Sequence, residues 1–216
     1  MIMKYIAALD YAHLDNGLFL TALAKAIGEQ HDTHPILVHG DSAYTERIMQ
    51  TGVMREQATR RSIKDLNHRL IALLADQGVS AVGINGYQRK LITRSKGQLS
   101  MDTDFIDRLP EGPVLLISTL VWDEQSASPH VIPLAQMVAF LQHQIDVNGI
   151  YAFSKADEDE VIIKEKPDEI RWNNMPDAFA DKNIPEEFKD FNKPLRLSTA
   201  RDFQDPVAQK NHISIH

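Results

Sequence analysis

Apolar residues along this 216-residue chain recur in two rhythms, short continuous runs and spaced stripes, and the two alternate. Lys4 to Leu9 reads as a first strand. From Leu18 to Gln30 the spacing of Leu18, Ala22, Lys25-Ala26 and Glu29 predicts a helix with one mostly small, apolar face, fraying at Gly28. Ile36 to His39 is continuously apolar, as a parallel strand covered on both faces would be. From Ser62 to Gln77, Ile63, Leu66, Leu70, Leu73 and Leu74 fall on one helical stripe, with Lys64, Asp65, His68 and Arg69 opposite and Gly78 as the stop. Val79 to Ile84 is a third strand. Val114 to Leu120, after the turn Pro110-Glu111-Gly112-Pro113, is a fourth. Leu134 to Gln144 reads as a helix and Gly149 to Phe153 as a fifth strand. This alternation predicts an α/β fold, a three-layer α/β/α sandwich around a mainly parallel sheet with right-handed crossovers.

The pattern changes after Glu160. Residues 161–216 are richer in proline and charge, but Trp172, Phe179, Phe188, Phe191 and Phe203 argue against plain disorder. We therefore divide the chain into an α/β domain, 1–160, and a proline-rich C-terminal extension, 161–216, packing on that domain or on a partner. The extension contains a nine-residue pattern: Pro167-Asp168-Glu169-Ile170, Pro176-Asp177-Ala178-Phe179 and Pro185-Glu186-Glu187-Phe188, each followed four residues later by asparagine. Proline, then acids, then an apolar residue is how a short helical turn begins. The turns either dock aromatic anchors on a partner or pack on their own domain.

Composition narrows the function classes. A hydrophobic fraction of 43% supports a sizeable core. A formal net charge of -7 argues against nonspecific nucleic-acid binding, which needs a concentrated basic surface. Cysteine is absent, which removes disulfides, thiolate nucleophiles and thiolate metal sites. No apolar run is long enough to span a bilayer, and Met1-Ile2-Met3-Lys4 leads directly into a strand without a signal-like core. A cytoplasmic protein without membrane contact is the expectation.

Ile36-Leu37-Val38-His39-Gly40, Thr51-Gly52-Val53-Met54-Arg55, the run from Leu66 to Gly83 and Gly112-Pro113-Val114-Leu115-Leu116-Ile117-Ser118 stand in the order and spacing of a known family. From Tyr5 to about Tyr151 the chain resembles the amino acid kinase family, and within it the acetylglutamate kinases. The resemblance implies a sandwich whose N-terminal half binds the phosphoryl acceptor and whose C-terminal half binds nucleotide. It also implies a homodimer, since helices like Ser62 to Gln77 lie near the family's subunit contact. Burial of the stripe inside one domain is the alternative.

The residues that carry phosphoryl transfer depart from that family. Its first strand ends Lys-x-Gly-Gly, where this chain reads Ile6-Ala7-Ala8-Leu9-Asp10-Tyr11. The second glycine loop keeps Gly40 and then has Asp41 and Ser42. Phosphoryl transfer depends on stabilising spread negative charge, so losing a cation and gaining a carboxylate both work against it. Lys4 lies too early in the strand to stand in. Val131-Ile132-Pro133-Leu134-Ala135-Gln136 aligns with an acid-bearing stretch of the family but carries no acid. Asp146-Val147-Asn148-Gly149-Ile150-Tyr151 resembles the turn beside the nucleotide.

The acceptor side keeps more. Arg55 matches the arginine that grips the acceptor's carboxylate, and a guanidinium suits a bidentate hold on such a group; its other reading is a surface ion pair. The candidate substrate-binding residues are Gly40, Asp41, Ser42, Arg55, Asn85 and Gly86, with Asp10 and Asp41 expected at one crevice and Arg55 facing a pocket between Gly40 to Tyr44 and Val82 to Gly86. His39 reads as a satisfied strand-end histidine or a base. Arg60-Arg61, Lys64 and Arg69 form a basic face or the solvated side of their helix. His31-x-x-His34 lacks a second ligand pair for a metal, Asp157-Glu158-Asp159-Glu160 lacks the spacing of a calcium loop, and Ser42 and Ser118 have no hydrolase motif. No metal or cofactor is expected.

Two functions follow. One is a diverged, catalytically inactive relative that binds a small acidic metabolite, or a partner kinase subunit, as a sensor or regulatory protein. The other is a working kinase of a small molecule's carboxylate or phosphate, using ATP with Mg and a cation from elsewhere in the chain.

Overall fold

The computed structural model describes residues 3–109, 112–155, 168–206, 208 and 211–216. Met1-Ile2, Pro110-Glu111, Asp157 to Glu160 and Pro167 lie outside them, as does the division drawn after residue 160. The central sheet has eight strands in the order β10-β12-β11-β9-β1-β2-β6-β3. They are β1 (Met3–Leu9), β2 (Thr33–His39), β3 (Ala81–Asn85), β6 (Val114–Ser118), β9 (Ile150–Phe153), β10 (Glu169–Ile170), β11 (Leu195–Ser198) and β12 (Ile213–Ile215). All neighbours pair in parallel except β11 with β12.

The continuous apolar runs are explained by burial on both faces. In β1, Tyr5, Ala7 and Leu9 enter one core and Ile6 and Ala8 the other; in β6, Val114 and Leu116 oppose Leu115 and Ile117. One face is covered by α1 (Gly17–Gly28) and α3 (Arg55–Asp76), the other by α5 (Leu134–Gln144) and part of the C-terminal segment. Shorter helices are α2 (Tyr44–Met49), α4 (Thr103–Asp107) and α6 (Asp177–Asn183). A second sheet, in the order β5-β4-β7-β8, is built from β4 (Ile92–Ser95), β5 (Gln98–Met101), β7 (Leu120–Asp123) and β8 (Ser128–Val131). Its strands are only four residues long and all but β7 are mostly half-buried or exposed, so their apolar signal is weak in the sequence. The fourth strand, expected to run to Leu120, ends at Ser118 because Leu120 begins the second sheet.

Two helix readings change. In α1 the buried face is Phe19, Leu20, Leu23, Ala24, Ala26 and Ile27, while Leu18, Lys25 and Glu29 face water. The stripe chosen from the sequence included Ala26 but mainly followed the exposed side. Helix α3 begins at Arg55, two turns before Ser62, because its polar first turns reach the second sheet, where Arg60 Nη2 lies 3.4 Å from Ser128 Oγ on β8. It ends as expected: Gly78 at φ 75° takes the left-handed position, with Val79 N–H on Leu74 C=O and Gly78 N–H on Ala75 C=O. Of the stripe, Ile63, Leu66, Leu70 and Leu74 are buried within this chain and Leu73 is partly buried against the same core.

Residues after 168 complete the sheet. Strand β11 pairs with β9, and β12 and β10 extend the edge. Pro176 precedes α6, and Pro185 precedes a single turn of 3-10 helix at Glu186–Phe188. Phe188 is fully buried beside α5, and Phe203 packs edge-on to Tyr5, Tyr151 and Phe153 at 5.0 to 5.4 Å between ring centres.

Candidate functional site

At the carboxyl edge of the sheet Leu9 and His39 are paired, so the loops after β1 and β2 leave side by side. Asp10 opens the first loop and is almost wholly buried. Its Oδ1 accepts from the N–H groups of Ala12 at 2.9 Å and His13 at 3.0 Å. Its Oδ2 meets His13 Nδ1 at 3.0 Å, while His13 Nε2 meets the Ser154 carbonyl at 3.1 Å. Both ring nitrogens face oxygen atoms of the chain. Asp10 is thus a buried carboxylate held by its own local donors.

The second loop is similarly closed on itself. Asp41 accepts a hydrogen bond from Thr45 Oγ1. Ser42 is fully buried, and its Oγ accepts from Tyr44 N–H at 3.1 Å. The Gly40 carbonyl faces His39 Nδ1 at 3.2 Å, and Asn67 Nδ2 faces His39 Nε2 at 3.3 Å. Burial pushes the His39 imidazole down to about 4, with the Gly40 carbonyl opposing. His39 is therefore a neutral, satisfied strand-end histidine at neutral pH.

A third carboxylate comes from the far end of the chain. Glu187, in the 3-10 turn before Phe188, accepts from Tyr11 N–H at 3.1 Å. Burial raises its carboxyl to about 7; the Tyr11 bond opposes this, and the charges of Asp10 and Asp41 add to it. The charges of Asp10 and Asp41 both act on Glu187, which groups the three acids in one acidic crevice at this edge of the sheet. The Tyr11 phenol is also raised, by burial and then by Asp41, Glu46 and Asp15, with Arg55 acting against them. Among the described residues, no three acids or histidines are close enough to hold one metal ion.

Arg55 lies near this crevice, but its Nη1 pairs with Glu46 Oε1 at 2.9 Å across α2 and α3, both side chains being half-exposed or more. Lys4 sits at the opposite, amino end of β1, in register with His34. Asn85 ends β3 and Gly86 follows it, and β3 is separated from β2 by β6. Two strand spacings are about 10 Å, which keeps them apart from Gly40 to Ser42. Asn85 Oδ1 accepts from Ser118 Oγ at 2.7 Å. A Cβ on Gly86 would stand 2.9 Å from the Leu120 carbonyl oxygen and from Ile92 Cβ, so this glycine permits the close passage of two backbones. Asn85 instead lines a cavity with Arg89, Asp102 and Phe105, to which Gly40 to Tyr44 and Arg55 do not contribute.

The remaining candidates have local partners. Arg60 pairs with Glu56, Arg61 approaches Asp65, and Lys64 lies over the Tyr87 ring, as on an ordinary solvated helix face. His34 Nε2 meets the Pro113 carbonyl at 3.1 Å. His13 was legible as Asp10-x-x-His13 directly after a strand. Glu187 carried no local signal, since it reaches the crevice only through the fold. No helix among the described residues is long and apolar enough to cross a membrane.

No family model and no curated protein matches this chain. Solved structures do. N-acetylglutamate synthase from Neisseria gonorrhoeae, complexed with coenzyme A and N-acetyl-glutamate, superposes at a TM-score of 0.68 and 14% identity over 99% of this chain; the chain spans 59% of that protein. Isopentenyl phosphate kinase superposes at 0.65 and 15% identity, covering 98% of both chains. Aspartate kinase from Synechocystis superposes at 0.64 and 10% identity over 93% of this chain and 38% of its own. These neighbours share one architecture with each other and with the sandwich described above: the chain has the amino-acid-kinase fold.

Proposed function

We propose that this chain is a non-catalytic protein of the amino-acid-kinase fold that binds a small acidic metabolite, as a sensor or regulatory component, and does not transfer phosphoryl groups. The observation that carries the reading is the cluster of Asp10, Asp41 and Glu187 at the carboxyl ends of β1 and β2. A transferring phosphoryl group needs converging donors and cations there. Here the nearby cation, Arg55, is engaged by Glu46. Removing one stabilising donor from such a site costs about 3 to 4 kcal/mol of barrier, and an opposing carboxylate adds to that.

The cavity on β3 supports the binding half of the reading, because it combines an apolar floor with a few polar groups, as small-molecule sites do. The test is a thermal-shift series with N-acetyl-glutamate, isopentenyl phosphate and Mg-ATP on the same protein. A rise in melting temperature with a small acidic compound, and none with Mg-ATP, is expected. A rise with Mg-ATP that disappears on chelating the metal restores the kinase reading.

A further inference from the structure

The cavity beside β3 has a volume of about 470 Å³, and its lining includes Ile84, Leu91 and Phe105 as apolar surface with Asn85, Arg89 and Asp102 as polar groups. It is not the carboxylate crevice: it takes in Val82 to Asn85, one side of the expected acceptor pocket, but neither Gly40 to Tyr44 nor Arg55. Strand β3 is the edge of the large sheet among the described residues, so alternate backbone N–H and C=O groups along it have no described strand partner on the outer side.

The two charged residues on this cavity, Arg89 and Asp102, are both exposed. Neither Arg89 nor Asp102 forms an ion pair with any described residue, including each other. Asp102 occupies the N-cap position of α4, yet its side chain makes no capping bond there. The Asp102 backbone is fixed instead, its N–H donating to the Leu91 carbonyl at 2.9 Å. Asn85 spends its Oδ1 on Ser118, and its amide nitrogen makes no hydrogen bond to a described residue.

Arg89 is also held in an unfavourable backbone conformation. Arg89 at φ 52° and Lys90 at φ 55° are consecutive left-handed residues, and neither is glycine. The turn is pinned on both sides, by Tyr87 N–H on the Leu120 carbonyl and Ile92 N–H on the Gly86 carbonyl. Glycine would take this conformation without steric cost. Strain retained at a residue lining a cavity points to a use for its side chain.

We propose that this cavity binds a small zwitterion, its carboxylate held by Arg89 and the Asn85 amide, its ammonium by Asp102, and its apolar body by Ile84, Leu91 and Phe105. The proposal rests on the reading of the chain as a metabolite-binding protein and names the site and the ligand class. An anion alone leaves Asp102 unpaired beside it, and a cation alone leaves Arg89 so. A molecule carrying both charges satisfies both.

The test uses calorimetric titration of the full chain with L-phenylalanine, phenylacetate and phenethylamine, which present both charges or one each on the same ring. L-Phenylalanine is expected to bind at least tenfold more tightly than either half. R89G should weaken L-phenylalanine and phenylacetate at least tenfold while raising the melting temperature of the free protein, because it relieves the left-handed strain. D102N should weaken L-phenylalanine and phenethylamine but not phenylacetate. Unchanged L-phenylalanine affinity in R89G, or equal affinity for L-phenylalanine and its halves, overturns the proposal. If L-phenylalanine does not bind while N-acetyl-glutamate or isopentenyl phosphate raises the melting temperature, the zwitterion site falls and the metabolite-binding function stands. If none of these compounds binds, both fall.

Discussion

The backbone N–H of Tyr11 donates to the carboxylate of Glu187 at 3.1 Å, joining the loop after β1 to a turn 176 residues later in the chain. This contact places a partly buried acid beside Asp10 and Asp41, and its energetic consequence has a definite sign. Burial raises the Glu187 carboxyl from its ordinary 4.5 to about 7. A group whose folded pKa lies above its unfolded one contributes stability below about 4.5 and loses it as pH rises through 7. A gap of that size bounds the effect at about 3 kcal/mol.

The substitution E187Q keeps an acceptor for Tyr11 and removes the charge. Its melting temperature relative to the parent should therefore increase between pH 5 and pH 8. His39, lowered to about 4, works in the opposite direction, losing stability as pH falls from 6.5, which is why the comparison is between variants at each pH. A constant difference across that range contradicts the placement of Glu187.

The Arg55 and Glu46 pair is solvent-exposed. Exposed pairs contribute between about 0 and 1 kcal/mol. A double-mutant cycle with R55A and E46A, read by urea unfolding, should give a coupling within that range. A coupling above about 2 kcal/mol would make the pair a structural clamp between α2 and α3.

Gly83 and Gly86 should resist substitution for packing reasons. A Cβ at Gly83 would lie 2.0 Å from Asn67 Oδ1 and 2.7 Å from Ile71 Cδ1. At Gly86 it meets the backbone oxygen of Leu120 at 2.9 Å. G83A and G86A should each lose about 1 to 3 kcal/mol of unfolding free energy. Free energies within about 0.5 kcal/mol of the parent would show that neither approach is that close.

The C-terminal segment should behave as core. F203A removes a fully buried ring stacked edge-on against Tyr5, Tyr151 and Phe153, and should cost about 3 to 5 kcal/mol. A loss below about 1 kcal/mol in chemical denaturation would mean that this segment is only lightly attached.

The strands buried on both faces were legible because their composition is continuous: Ile36-Leu37-Val38 and Val114-Leu115-Leu116-Ile117 admit no other comfortable placement. Helix α5 was legible from end to end for the same kind of reason, an apolar stripe between Pro133 and a polar C-terminus. The second sheet was not, since Ile92 to Ser95 and Ser128 to Val131 are half-buried and too short to show a period. Nor was the closing of the large sheet by β10 to β12, where pairing depends on partners far away in sequence. In the crevice, the carboxylates of Asp10 and Asp41 could be read beside their strands, whereas Glu187 could not. Arg55 was identified by position, but its partner Glu46 follows from the angle between two helices. The left-handed pair Arg89 and Lys90 left no trace in the sequence, because nothing in an arginine or lysine codes for that backbone.

The central claim is that the acidic crevice has replaced a phosphate site, and calorimetric titration of the full chain with Mg-ATP tests it most directly. The account predicts no saturable heat up to millimolar Mg-ATP, with or without a small acidic compound present. Saturable binding that vanishes when the metal is chelated, and that is weakened by replacing residues at the carboxyl ends of β1 and β2, would contradict it.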